Sequence, residues 1–267
     1  MRTAAMPATI LWPVVLVAAV SGCGSAAESV APAAVAPSAP AATASLPTAT
    51  AVDPDPRIGA VFLAGEDTHV CTGSVLHSTT GDLVLTAAHC LADGVETDFV
   101  PAFAGAPDAA KTWRVTAVYL DPRWVATQDP LADYAIVRVA RDGSGPPIEP
   151  AVGSALSLGS APPAGSTVAV TGYPFGVGGG PLGCRGSTGV ADRFPSLACA
   201  GLVDGTSGAP WIVGSTVTGI TGGLDGGGCD ADVSYTPPFD DATARLLARA
   251  EAGGPGDAAP SSFEIDC

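Results

Sequence analysis

The chain has 267 residues, 26 of them acidic and 11 basic, for a formal net charge of −15. Such an acid excess repels nucleic acid and anionic membrane surfaces, which excludes both as expected partners and fits a protein that is soluble outside the cell or attracts basic substrates. The seven cysteines fit an oxidising compartment, because six remain for pairing if one is otherwise committed.

Met1 to Cys23 holds one positive charge, Arg2, an apolar stretch from Ile10 to Val20, and the run Val20-Ser21-Gly22-Cys23. The apolar stretch is too short for a permanent membrane span, and the small residues before Cys23 read as a cleavage site. Val-Ser-Gly-Cys resembles a bacterial lipobox. That resemblance implies a lipoprotein-type signal peptide over 1–22, lipidation of Cys23, and a mature chain held on the membrane by acyl chains alone. A plain secretion signal is the other reading, and either one exports the protein. Residues 23–56 are rich in alanine and proline, with a single charge, Glu28, before Asp53. They offer too little bulky apolar surface to offset ordering entropy and read as a disordered tether.

From Arg57 the pattern becomes one of short strands separated by glycine, proline and aspartate clusters. Strands are predicted at 58–64, 68–77, 83–86, 99–103, 113–120 and 134–140. A second set follows at 167–172, 187–190, 197–200, 211–213, 216–221 and 233–235. The glycine-rich stretch Gly176 to Gly183 reads as a mobile loop, since no helix pattern or lysine follows it to make a phosphate cradle. Only Asp240 to Ala252 reads as a helix, with acids at its start and apolar Ala244, Leu247 and Ala248. A folded domain over 57–253 and an irregular tail over 254–267 complete the chain, and the class is all-β, barrel or sandwich.

Three local runs carry chemistry. Gly205-Thr206-Ser207-Gly208-Ala209-Pro210 is a tight turn that lifts one serine out of an apolar region. Ser207 is the candidate nucleophile, and flanking glycines let the N–H groups of Gly205 and Ser207 converge on one oxyanion. Leu85-Thr86-Ala87-Ala88-His89-Cys90 ends an apolar run in the candidate base, His89, whereas His69 and His77 read as structural. Asp133 opens the apolar run Asp133-Tyr134-Ala135-Ile136-Val137 and can accept the imidazole N–H, fix its tautomer and stabilise the imidazolium. Asp121 and Asp129 read as capping or solvated acids.

The order His89, Asp133, Ser207, together with Cys71-Thr72-Gly73-Ser74-Val75, Gly81-Asp82-Leu83-Val84-Leu85-Thr86-Ala87-Ala88-His89-Cys90, Thr171-Gly172-Tyr173-Pro174 and Gly205-Thr206-Ser207-Gly208, resembles the trypsin-like serine peptidases. The likeness runs from about Ile58 to Gly253 and is greatest toward the secreted bacterial branch near the glutamyl endopeptidases. It implies two six-stranded antiparallel β-barrels with the cleft between them and a C-terminal helix. It also implies a serine endopeptidase acting on protein or peptide substrates, as an extracellular monomer with no cofactor and no metal. Cys71 and Cys90 match the pair that flanks the family's histidine. Cys184 with Cys199 and Cys229 with Cys267 are the favoured remaining pairs, although six cysteines allow fifteen pairings. Their spacings do not form paired zinc-binding units, and Asp225, Asp230 and Asp232 match no calcium loop.

Two departures from the family matter. Thr206 stands where trypsin has the aspartate that receives a new N-terminus, so the Arg57-Ile58-Gly59 junction has no ion-pair switch to operate. Gly201 stands where a trypsin-type pocket has its aspartate, and Thr221 stands where a glutamyl endopeptidase has a histidine. Gly201, Thr221, Gly222 and Gly223 are therefore expected to form a small, neutral specificity pocket. A binding module retaining the fold is the reading from a different class.

Overall fold

Six strands close the first half of the domain into a barrel, which buries the apolar residues that they carry. The computed structural model describes residues 45–141, 143, 145–230 and 232–261. The expected signal peptide, Cys23, tether residues 24–44 and Cys267 lie outside these. In chain order the elements are β1 (Thr50–Ala51), β2 (Ile58–Leu63), β3 (Thr68–Leu76), β4 (Leu83–Thr86), β5 (Thr97–Pro101), β6 (Trp113–Leu120), α1 (Pro122–Thr127), β7 (Ala135–Ala140) and α2 (Ile148–Val152). There follow β8 (Ser157–Leu158), β9 (Thr167–Gly172), β10 (Gly176–Val177), β11 (Leu182–Ala191), β12 (Phe194–Ala198), β13 (Pro210–Val213), β14 (Thr216–Ile220), β15 (Val233–Tyr235) and α3 (Asp241–Ala252).

The barrel runs β3-β2-β5-β6-β7-β4 and closes by pairing β4 back onto β3. In β2, Val61 joins the barrel core with Val75, Leu85 and Ile136. Ile58, Ala60 and Phe62 form a separate cluster with Val100, Phe103 and Tyr173. This alternation explains a strand that reads as apolar throughout: one face fills the barrel and the other packs beneath the second half of the chain. The second half is the sheet β15-β12-β11-β9-β13-β14-β8, with β1 added beside β11. Between β14 and β15 the contact is made by Gly222 N–H to Tyr235 C=O at 3.0 Å and Ile220 N–H to Thr236 Oγ1 at 2.8 Å. Two prolines after Thr236 lack donors for a longer ladder.

Several elements differ from the sequence expectations. Part of the predicted tether is held against the second sheet. Ala49 N–H donates to Ala200 C=O at 2.7 Å, Ala200 N–H to Pro47 C=O at 2.8 Å, and β1 pairs with the start of β11. These are main-chain bonds, which alanine, threonine and proline side chains do not advertise. The predicted loop 176–183 contains β10 and the start of β11, and α1 and α2 were not expected at all. In α3 the buried residues are Thr243, Leu246 and Ala250, with Ala244 and Ala248 exposed, so the packed stripe is shifted from the expected one. The helix begins with Asp240 and Thr243 capping each other. None of the described helices is long and apolar enough to cross a membrane.

Cys71 of β3 is bonded to Cys90, and Cys184 of β11 to Cys199 just beyond β12. Asp121 and Asp129 cap α1 and the short turn before Asp133, accepting from the N–H groups of Arg123 and Leu131. Asp121 also accepts from Arg123 Nε at 3.0 Å and the Tyr134 hydroxyl at 2.7 Å. Burial raises its carboxyl, but the Arg123 and Tyr134 bonds outweigh that and hold it below the usual carboxylate range.

Removing the Cys184–Cys199 bond, which closes a sequence separation of 15, is expected to lower unfolding free energy by about 3 kcal/mol, read by denaturant titration. Asp121→Asn leaves the Tyr134 hydroxyl and Arg123 poorly satisfied and is expected to lower stability at neutral pH by about 1–3 kcal/mol. Because the folded carboxyl is depressed, its contribution is complete above the ordinary carboxylate value and is lost as pH falls through the folded value. The gap between wild type and variant should therefore close in acid.

Candidate active site

His89 sits in a short 3₁₀ turn, Ala88–Cys90, directly after β4, and the Cys71–Cys90 bond ties this turn to β3. Asp133 stands at the end of another 3₁₀ turn, Pro130–Ala132, just ahead of β7. Since β4 and β7 are paired, Thr86 opposite Ala135, the two turns emerge side by side from one end of the barrel. The Asp133 side chain is fully buried, and the His89 side chain is 7% exposed.

Asp133 receives three donors. His89 N–H reaches Oδ1 at 3.0 Å, His89 Nδ1 lies 2.7 Å from Oδ2, and Gly223 N–H reaches Oδ2 at 2.7 Å. An ionised carboxylate only accepts, so Nδ1 carries a proton, and in the neutral ring Nε2 then carries the lone pair. Burial alone would raise the Asp133 carboxyl. The neighbouring imidazole and the three hydrogen bonds outweigh it, holding the group ionised below its ordinary range. Gly222 is packed beside this carboxylate so closely that a Cβ there would lie 3.0 Å from Oδ2.

Ser207 lies in the turn between Gly205 and Gly208, which have φ of +88° and +81°, a region that L side chains disfavour. Thr72 of β3 binds this turn on both sides of Thr206. Its Oγ1–H donates to Gly205 C=O at 3.0 Å, and its N–H donates to Ser207 C=O at 2.8 Å. The Thr72 hydroxyl in turn accepts from Tyr173 N–H at 2.8 Å. Gly208 N–H donates to Thr221 C=O at 2.7 Å, and a Cβ at Gly208 would lie 2.1 Å from Thr72 O and 3.0 Å from Ala87 N. The serine turn is thus seated on the stretch that leads to His89. Thr206 donates its hydroxyl proton to Val203 C=O at 2.8 Å. Among the described residues, the N–H groups of Gly205 and Ser207 have no protein acceptor.

A cavity of about 350 Å³ opens beside Ser207, with Thr221, Thr206, Leu202, Val203 and the turn Asp225–Cys229 in its walls. Of the four residues expected to form the specificity pocket, Thr221 lines it; Gly201, Gly222 and Gly223 lie outside that lining. Gly223 is engaged by the Asp133 carboxylate, and Gly201 faces Ala49 of the N-terminal segment. The sequence reading missed Thr72 and Asp204, and weighed Asp225 only against a calcium loop, whereas Asp204 and Asp225 both line this cavity. Thr72 stood in a quoted motif, but its bridging role depends on where β3 passes the serine turn, which no local pattern encodes.

His69 is buried, with Nε2 2.8 Å from Gly178 C=O, and His77 pairs with Glu149 at 2.6 Å, so both take structural positions. Among the described residues the one grouping of metal-ligating atoms is Cys71, His89 and Cys90, and the disulfide between its two sulfurs leaves no thiolate to bind a metal. Cys229 is also disulfide-bonded, while its expected partner Cys267 lies outside the described residues. At the apparent activation junction, Ile58 is buried at the start of β2, Arg57 is paired with Asp55, and Arg57 C=O accepts from Val75 N–H at 2.7 Å.

No curated protein sequence matches the chain. Among solved structures, the protease Anisep from Arthrobacter nicotinovorans is similar with a TM-score of 0.67 and 20% identity, over 77% of this chain and all of that one. The thermostable serine protease AL20 from an extremophilic microorganism gives 0.63 and 23%, over 74% and 98%. A Glu endopeptidase solved with MPD gives 0.61 and 17%, over 78% and 98%. These likenesses show the chymotrypsin-like fold. The model of the trypsin-like peptidase domain matches residues 71–220, more than half of the chain, and on that ground the chain belongs to the trypsin-like peptidase family and is a serine endopeptidase by class.

Proposed function

We propose that the chain is an exported endopeptidase that cleaves peptide bonds through an acyl-enzyme, with Ser207 as nucleophile, His89 as base and Asp133 as its orienting acid. The observation that carries this reading is the bonding of Asp133, which presents His89 Nε2 as a proton acceptor. Ser207 Oγ attacks the substrate carbonyl while His89 Nε2 takes its proton. The resulting oxyanion is held by the N–H groups of Gly205 and Ser207, which have no other acceptor among the described residues. His89 then gives its proton to the leaving amine, and water repeats the cycle to release the acid. Thr206 and Thr72 pin the serine turn without any new N-terminus, so cleavage at Arg57 is not required to form it.

The further parts of the reading rest on the sequence. Residues 1–22 act as the signal peptide, Cys23 is the lipidated residue that anchors the chain, and the segment that follows is the tether. The two disulfides among described residues fit an oxidising, extracellular setting. The protein acts as a monomer on protein or peptide substrates.

Peptide hydrolysis by the purified chain should be abolished in Ser207→Ala and His89→Ala. Asp133→Asn should lose on the order of 10³–10⁴ in kcat, because an amide does not hold the Nδ1–H tautomer. Wild-type turnover in Asp133→Asn would overturn the assignment. Gly208→Ala drives a Cβ into Thr72 O from a strained φ. It should cost at least about 1–3 kcal/mol of stability together with most of the activity, read by thermal unfolding beside the hydrolysis assay.

A further inference from the structure

The strap from Pro174 to Gly179 has little packing of its own. The Phe175 and Val177 side chains are exposed, and glycine occupies 176, 178 and 179. Such a run loses much backbone freedom on ordering, so its position rests on what hydrogen-bonds to it. β10 pairs with β3, placing Gly176 opposite His69. Gly105 N–H donates to Gly179 C=O at 2.9 Å, and His69 Nε2 lies 2.8 Å from Gly178 C=O. A carbonyl only accepts, so Nε2 carries a proton. The His69 ring is buried among Phe62, Phe103 and Tyr173, at centroid distances of 5.8, 5.3 and 6.1 Å. Its Nδ1 is buried there with no hydrogen-bond partner among the described residues. A phenyl ring would fill this nest without that unmet atom, so packing does not account for an imidazole here, whereas the bond to Gly178 does.

We infer that His69 is a positioning residue for the oxyanion site, acting through this strap. The inference rests on the proposed roles of Ser207 and of the Gly205 N–H. Phe175 N–H donates to Asp204 C=O at 2.6 Å. In a trans peptide the C=O of Asp204 and the N–H of Gly205 point in opposite directions. Holding that carbonyl against the strap therefore turns the Gly205 N–H away from it, where it has no acceptor among the described residues and is left to receive an oxyanion. The fit is close: Gly205 takes φ +88°, and a Cβ on it would lie 2.1 Å from Phe175 N and 2.6 Å from Pro174 C. Thr72 fixes the near end of the strap, its hydroxyl accepting from Tyr173 N–H at 2.8 Å. His69 clasps the far end at Gly178. Without that clasp Phe175 N–H is free to shift, and the peptide between Asp204 and Gly205 loses its fixed direction. Substrate binding is little affected, because the donor is needed only as charge develops on the substrate oxygen.

Three variants test the inference. His69→Phe removes the donor and keeps a ring, and His69→Gln keeps a donor on a chain of similar reach. Gly178→Ala leaves His69 in place and disturbs the strap directly, since a Cβ at φ +69° would lie 2.8 Å from Gly105 O. We would measure kcat and KM for peptide hydrolysis by the full chain, thermal unfolding, and inhibition by a peptidyl trifluoromethyl ketone, whose tetrahedral adduct places an oxyanion in the site. In His69→Phe, kcat is expected to fall about tenfold, short of the loss on the order of 10²–10³ that follows removal of an oxyanion donor. KM should stay within about twofold, because the interaction is made in the transition state. The ketone should weaken by the same factor as kcat, with little change in melting temperature. His69→Gln should recover most of kcat, and Gly178→Ala should lower kcat in the same pattern. Wild-type kcat in His69→Phe, or a loss of kcat that leaves ketone inhibition untouched or that His69→Gln does not recover, would overturn the inference and leave the peptidase reading standing. Hydrolysis that is absent from the wild type, or that survives in Ser207→Ala, would overturn both.

Discussion

A buried carboxylate with three donors is the constraint on which the site depends. Asp133 has no contact with solvent, and a charge so placed is tolerated only when hydrogen bonds replace its lost hydration. Two of its donors come from His89, in the turn after β4, and the third comes from Gly223, in the loop after β14. Satisfying one charge therefore fixes the imidazole, the mouth of the first barrel and a loop of the second half together. Gly222 allows that loop to approach, since any side chain there would press on the carboxylate.

A second tie runs through Thr72. One residue on β3 holds the carbonyls on either side of Thr206 and receives the N–H of Tyr173. It sits next to Cys71, whose disulfide braces the histidine turn. The base and the serine turn are thus referred to the same strand, and strand positions are more rigid than loops. Below them, Ile58, Phe62, Phe103 and Tyr173 pack as one apolar cluster, so the seam between the two halves is also a hydrophobic core. The buried start of β2 at Ile58 belongs to that core, consistent with a serine turn held by hydroxyl and amide groups rather than by a freed terminus.

The residues of the candidate triad were legible because each stands in a short run whose composition is itself a signal: a glycine-flanked serine, a histidine ending an apolar strand, an aspartate opening one. The first barrel was legible for a related reason, since strands buried on both faces read as continuous apolar runs. What escaped the sequence was set by backbone pairing or by loop geometry. Pro47 to Val52 pair through main-chain groups with no side-chain pattern to betray them. The α3 stripe slipped because alanines and leucines surround it and only contact with β6 and β7 chooses the buried face. The shared place of Asp204 and Asp225 escaped because they are 21 residues apart in the chain and line one cavity only when two loops fold around it.

The most direct test of the central claim, that this arrangement activates Ser207, is reaction of the folded, disulfide-intact chain with a fluorophosphonate, followed by mass mapping of the adduct. The account predicts one phosphonyl group per chain, carried by the peptide containing Ser207 and absent in His89→Ala. No adduct, or an adduct on another residue, would contradict it and favour a fold retained for binding.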